Sequence, residues 1–169
     1  MSRCAIAAGS NLGDRLGHLN SAISGLNAVG AIVGISSVYE TAPVGGPEQE
    51  PFLNAVVLID TANTPTGLLR ELMVIERSRG RVRNERWGPR TLDLDLILFS
   101  RRAVDEPGLT VPHPRMGQRR FVLEPLLEVW PEAVMPDGSA VTPAEESVRA
   151  QELVRTELVL GVAESSHEP

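Results

Sequence analysis

Between positions 92 and 99 the chain reads LDLDLILF. Successive side chains of an extended strand point to opposite faces. A strand here therefore places Leu92, Leu94, Leu96 and Leu98 on one face, with Asp93, Asp95, Ile97 and Phe99 on the other. Asp93 and Asp95 then sit about 7 Å apart on neighbouring pleats. Two like charges so placed repel unless a cation lies between them. A hard divalent ion held by carboxylate oxygens removes the repulsion. Mg²⁺ suits the pair best, because it takes one or two carboxylates and fills its shell with waters and phosphate oxygens.

The residues just upstream add a second constraint. RVRNERWGPR places Arg81, Arg83, Arg86 and Arg90 around Trp87 and a Gly-Pro breaker, which marks a loop. Guanidinium groups offer forked donors that match phosphate. Taken alone, Asp-x-Asp is most simply the solvated face of an edge strand, and an arginine-rich loop is a solvated loop. Their conjunction on a chain of net charge −6 favours a site.

The same charge argues against a general nucleic-acid binder. All 16 basic residues are arginine, so a P-loop lysine and a lysine Schiff base are both excluded. Cys4 is the sole cysteine, which rules out an internal disulfide and a cysteine-based metal site. The length of 169 residues fits a single domain over 1–169, with a core over about 1–136 and an extension over about 137–169. No run is long and apolar enough to span a membrane, and the first residues read as a strand rather than a signal peptide. A cytoplasmic protein is the simplest expectation.

Residues 3–8 read as a buried strand, and a turn-rich GSNLGD follows. Asp14 is a fair cap for a helix carrying Leu16, Leu19, Ile23 and Leu26 at helical spacing. Residues 31–39 form a β-branched strand, then a Gly/Pro-dense loop over 40–51, then a strong strand over 52–60. Asn54 is unusual inside a strand; an edge-facing polar group and a buried amide reading a heterocycle are equal alternatives. Thr64-Pro65 opens a second helix as cap and first turn. Glu76 near its end is placed to pair with a loop arginine. The order is βαββαβ, an α+β ferredoxin-like core: an antiparallel sheet with helices on one face, plus C-terminal additions. His113 is fixed between two prolines, a rigid setting that favours a positioned contact. Residues 122–129 read as a short helix, Thr142-Pro143-Ala144-Glu145 has capping-box spacing for another, and the tail from about 148 to 162 reads as helical.

Five blocks in order, GSNLGDRLGHLNSAI, SSVYETAPVGGPEQEPFLNAVV, IERSRGRVRNERWGPR with RWGPRTLDLDLI, LTVPHPRM and RRFVLEPL, resemble the 6-hydroxymethyl-7,8-dihydropterin pyrophosphokinases of folate synthesis. The resemblance implies transfer of pyrophosphate from ATP to the pterin hydroxymethyl group with release of AMP. It implies that Asp93 and Asp95 bind two Mg²⁺ ions with ATP, and that Arg81 and Arg90 meet the phosphates. It places Glu76, Arg83, Trp87, Ile97, Thr110, His113 and Arg119 at ATP. It places Thr41, Pro43, Val44, Phe52, Asn54 and Phe121 at the pterin, with Phe121 stacked on the ring. ATP and the pterin are then the partners of a monomer, with no nucleic acid and no membrane. Such chemistry rests on alignment and charge neutralisation, which arginine and metal can supply. A metal-dependent glycosyltransferase would also use Asp-x-Asp, but needs a larger donor-binding half. A ferredoxin-like RNA-binding module would carry aromatic RNA-contacting motifs that are absent here.

Overall fold

The computed structural model describes residues 1–43, 45–80, 88–142 and 145–162. Strand β1 (Ser2–Ser10) leads into helix α1 (Arg15–Val29). Strands β2 (Ala31–Ile35), β3 (Tyr39–Thr41) and β4 (Phe52–Thr61) follow, then helix α2 (Pro65–Ser78) and strand β5 (Asp93–Phe99). The caps are those the sequence announces. Asp14 accepts from the Gly17 N–H, and Thr64 accepts from the Gly67 N–H one residue before Pro65 opens the first turn.

The sheet runs β5-β1-β4-β3, with β2 also on β4, and the pairings are antiparallel. Each helix thus connects two strands that have a third between them, the split arrangement of a ferredoxin-like core. The single strand expected over 31–39 is two pieces. Ser36 breaks it: its N–H donates to the Val56 carbonyl while its Oγ accepts from the Val56 N–H.

The two core helices share one face as expected. Leu19, Ile23, Leu26, Leu68 and Leu72 pack there on Cys4, Ile6, Val57 and Ile59. The C-terminal additions cover part of the other face. A small ribbon of β6 (Val104–Glu106) and β7 (Leu109–Val111) precedes a cis Val111–Pro112 bond and a 3₁₀ turn at Met116–Gln118. Helix α3 (Arg120–Val129) then sets Val122, Leu123 and Leu126 on Ala5, Val56, Leu58, Ile97 and Leu98. Coverage on both faces is why the strands read as nearly unbroken apolar runs.

Strand β5 departs from simple alternation at its far end. Its register against β1 slips between Ala5 and Ile6, which pair with Leu98 and Leu96. The extra residue, Ile97, is a bulge, and a bulge reverses the phase of the residues beyond it. Leu98 therefore joins Ile97 in the α3-side core, and Phe99 enters the core under α1 and α2. Both were expected on the opposite faces. The bulge lies beyond Asp93 and Asp95, so their common face survives.

Glu128 fastens α3 to the sheet. Its carboxylate accepts from the Tyr39 hydroxyl at 2.7 Å, the Ser37 N–H at 2.8 Å and the Ser37 hydroxyl at 2.7 Å. The tail is largely not the helix expected. After a short α4 (Glu146–Arg149) it extends and adds β8 (Val154–Arg155) to β3. Tail leucines here follow strand and coil contacts: Leu160 is buried in the α1/α2-side core. Among the described residues no helix is long and apolar enough to cross a membrane.

Candidate active site

Register alone builds the floor of the site. Gly9 of β1 pairs with Asn54 on one side and Asp93 on the other, and Tyr39 pairs with Asn54. One pleat along, Ala7 lies between Val56 and Asp95. Residues directly opposite in an antiparallel sheet share a face. Asn54, Asp93 and Asp95 therefore stand on the α3 side, with glycine and alanine between them. Two strand spacings put Asn54 and Asp93 about 10 Å apart at the backbone. Thr41 pairs with Phe52 and brings both to the same face.

The acidic half of the floor is frustrated. Arg90 Nη1 lies 2.8 Å from Asp93 Oδ2, and Arg119 Nη1 lies 3.9 Å from Asp95 Oδ2. Burial, and then the neighbouring Asp93 charge, push the Asp95 carboxyl up to about 7 despite Arg119. Glu76, buried at the end of α2, adds to the repulsion. Its described hydrogen bond is to the Leu94 N–H at 2.8 Å, which pins the strand residue between the two aspartates. Among the described residues no three acidic, histidine or cysteine side chains form a metal-binding group. Two carboxylates fit an ion that completes its shell with phosphate oxygens and water.

Beyond β5, Ile97 is fully buried, and its carbonyl accepts the His113 N–H at 2.9 Å. Its side chain faces the core, so its link to the cleft runs through His113. His113 Nδ1 accepts from the Arg115 N–H, leaving Nε2 to carry the ring proton. Burial and the charges of Arg119 and Arg115 hold the imidazole below its usual range. Arg119 links the two halves of the site, because its guanidinium also sits 5.6 Å from the Phe121 ring centre. Thr110 is exposed on β7 opposite Asp105. Arg81, Arg83, Trp87 and Val44 lie outside the described residues.

At the other end, a cleft of about 160 Å³ is lined by Thr41, Ala42, Pro43, Arg120, Phe121, Gln151 and Glu152. Asn54 is not on an edge strand, since β4 pairs on both sides. Its Nδ2 donates to Thr41 Oγ1 at 2.7 Å. A Cβ on Gly9 would come within 2.8 Å of Asn54 Oδ1 and 3.6 Å of the Phe52 ring. Glycine at this place lets the amide lie against the floor.

Sequence reasoning missed Asn11, which reads there as one more turn residue. Its Oδ1 accepts from the Arg90 N–H at 2.8 Å, and its N–H donates to the Arg90 carbonyl at 3.1 Å. Its Nδ2 donates to Gln49 Oε1 at 2.9 Å and the Glu50 carbonyl at 3.0 Å. One side chain, 1% exposed, thus joins three loops around the site. Removing it leaves buried partners unsatisfied, and Asn11→Ala is expected to cost about 2–3 kcal/mol. The thermal midpoint should fall by roughly 5–10 °C; a change under about 2 °C would show the loops to be held elsewhere.

The fold is α+β, a ferredoxin-like sheet that carries Asn54, Asp93 and Asp95 on one face. The family model for 7,8-dihydro-6-hydroxymethylpterin-pyrophosphokinase matches residues 5–131, and the chain belongs to that family. It is 46% identical over 142 residues to the 2-amino-4-hydroxy-6-hydroxymethyldihydropteridine pyrophosphokinase of Bacillus subtilis strain 168, covering 83% of this chain and 85% of that one. The enzyme of the same name from Pseudomonas aeruginosa is 41% identical over 140 residues, covering 82% and 86%. Among solved structures, Plasmodium falciparum HPPK-DHPS superposes with a TM-score of 0.65 at 14% identity, over 83% of this chain. An HPPK-DHPS in complex with substrates gives 0.67 at 13% identity, again over 83%. This chain spans 43% and 42% of those longer chains, and the likeness is one of fold. Membership of the family supports pyrophosphokinase activity in folate biosynthesis.

Proposed function

We propose that this chain transfers the terminal pyrophosphoryl group of ATP to the hydroxymethyl oxygen of 6-hydroxymethyl-7,8-dihydropterin in a Mg²⁺-dependent reaction that releases AMP. The observation that carries this reading is the row Asn54–Gly9–Asp93. A group suited to a heterocycle edge and a group suited to a metal–phosphate cluster share one face, with a bare floor between them. Phe121 supplies an aromatic surface at one end, and Arg90 and Arg119 supply cationic donors at the other.

In this reading the hydroxyl oxygen forms a bond to the β-phosphorus and gives its proton up to solvent, while the bond from that phosphorus to the α,β-bridging oxygen breaks and AMP leaves with that oxygen. Asp93 and Asp95 would hold the Mg²⁺, whose chemistry there would be charge neutralisation around the triphosphate. Asn54 and Phe121 fix the ring so that its hydroxymethyl group points along the floor toward Asp95. Arg90, Arg119 and the Nε2–H of His113 hold phosphate oxygens as charge redistributes. Glu76, through the Leu94 N–H, keeps the aspartates in line. The contributions of Arg81, Arg83, Trp87, Thr110 and Val44 stand as expectations from the resemblance.

Product analysis tests the reading. ATP, Mg²⁺ and the reduced pterin alcohol should yield AMP and the pterin pyrophosphate in equal amounts, and EDTA should stop the reaction. ADP as the nucleotide product, or full activity in EDTA, would reject it.

A further inference from the structure

Residues 145–162 follow the family match at 5–131, and the sequence suggests no role for them. The structure ties them to the cleft at both of its walls. On the α3 side, Gln151 Oε1 accepts the Arg120 N–H at 3.0 Å, and Gln151 Nε2 donates to the Gln118 carbonyl at 2.8 Å. Arg120 Nη1 donates to the Gln151 carbonyl at 2.8 Å and the Arg149 carbonyl at 3.3 Å. On the sheet side, β8 pairs Val154 with Glu40 and Arg155 with Tyr39. The Thr156 N–H and hydroxyl both donate to the Val38 carbonyl. Those strand residues lead directly into Thr41 and Pro43.

We propose that Gln151 is a positioning residue for the heterocycle cleft: its amide braces residues 118 and 120, and so sets Phe121, which follows them, whereas the Arg119 guanidinium is held separately at 3.9 Å from Asp95. The proposal rests on the reading that this cleft takes the pterin. Both polar atoms of the amide are occupied, one by each braced residue, so no single-ended contact could replace it. Gln151 and Glu152 also line the cleft beside Phe121. The strap therefore fixes the gap between the Thr41–Pro43 wall and the Phe121 wall. Walls already held in place bind a flat ring without first being ordered around it, which is preorganisation. Nucleotide contacts at Asp93 and Asp95 stand on β5 and do not depend on the strap.

Binding of 6-hydroxymethylpterin to the full chain, with Mg²⁺ and a non-hydrolysable ATP analogue present, tests this. Gln151→Ala should weaken pterin binding about tenfold, the effect of one well-placed hydrogen bond. Affinity for the analogue should stay within about twofold, and the thermal midpoint within about 2 °C. Gln151→Glu keeps an acceptor for the Arg120 N–H and should recover part of the loss. Unchanged pterin affinity in Gln151→Ala would overturn the proposal. So would equal weakening of pterin and nucleotide with a large drop in midpoint, the mark of a purely structural residue. Failure of the unsubstituted protein to bind pterin would instead refute the proposed function, and this inference with it.

Discussion

Asp95→Asn should abolish turnover yet leave a ligand-free protein that is more stable than the original. The loss follows from the proposed chemistry. An amide presents one neutral oxygen where the metal requires a carboxylate, and about a thousandfold or more in rate corresponds to about 4 kcal/mol of barrier. The gain follows from the fold. The Asp95 carboxyl is pushed up to about 7 by burial and by the adjacent Asp93 charge, from an ordinary value of 3.8. Below the ordinary value the carboxyl is protonated in both folded and unfolded chains. Between that value and about 7 the folded chain holds a proton that the unfolded chain has released. Stability therefore falls as pH rises across this window, and the full penalty is present above it. The side chain is 33% exposed, so solvent screening reduces the effect, and about 1 kcal/mol at neutral pH is a reasonable size. Asp95→Asn should raise the ligand-free midpoint by about 2–4 °C at pH 8 and leave it nearly unchanged at pH 4. A midpoint that fell at pH 8 would show that Asp95 is satisfied without a metal.

Gly9→Ala should separate stability from binding in the same manner, at the other end of the floor. Gly9 lies within β1 and does not adopt a positive φ, so alanine suits its backbone. Alanine in a strand is entropically cheaper than glycine by roughly 0.5 kcal/mol, which offsets part of the roughly 1 kcal/mol lost with the displaced Asn54 hydrogen bond, so the fold should hold with only a slight loss of stability. The new methyl would lie 2.8 Å from Asn54 Oδ1. The obstacle is the tip of a side chain, so Asn54 turns away and gives up its 2.7 Å bond to Thr41 Oγ1. The amide and the bare floor are lost together. Losing about 2–3 kcal/mol of edge recognition lowers pterin affinity by roughly 30–150-fold. Affinity for an ATP analogue should not change. Calorimetric titration of each ligand measures both; retained pterin affinity would remove Asn54 from the site.

Much of this was legible because it depends on local periodicity. The Asp-Leu-Asp alternation set both carboxylates on one face, and Asp14 and Thr64-Pro65 announced their helices. What escaped depends on contacts between distant segments. The bulge at Ile97 arises from the fit of β5 to β1, and nothing in LILF marks it. Asn11 looks like any turn asparagine until residues 49, 50 and 90 arrive around it. Gln151 and Gly9 matter only through their neighbours across strands. The split at Ser36 has the same origin, since its hydroxyl answers a backbone group of β4. The tail was misread as helix because short apolar runs such as LVLGV carry no clear period.

The buried thiol of Cys4 has a practical use. It is fully enclosed, and enclosure pushes it up to about 12, so at neutral pH it offers no reactive thiolate. With no second cysteine in the chain, an engineered one at an exposed site such as Glu48 would be the sole target for a maleimide dye. A fluorophore there could report movement of the loop beside Asn11 in real time, without first stripping the protein of native thiols.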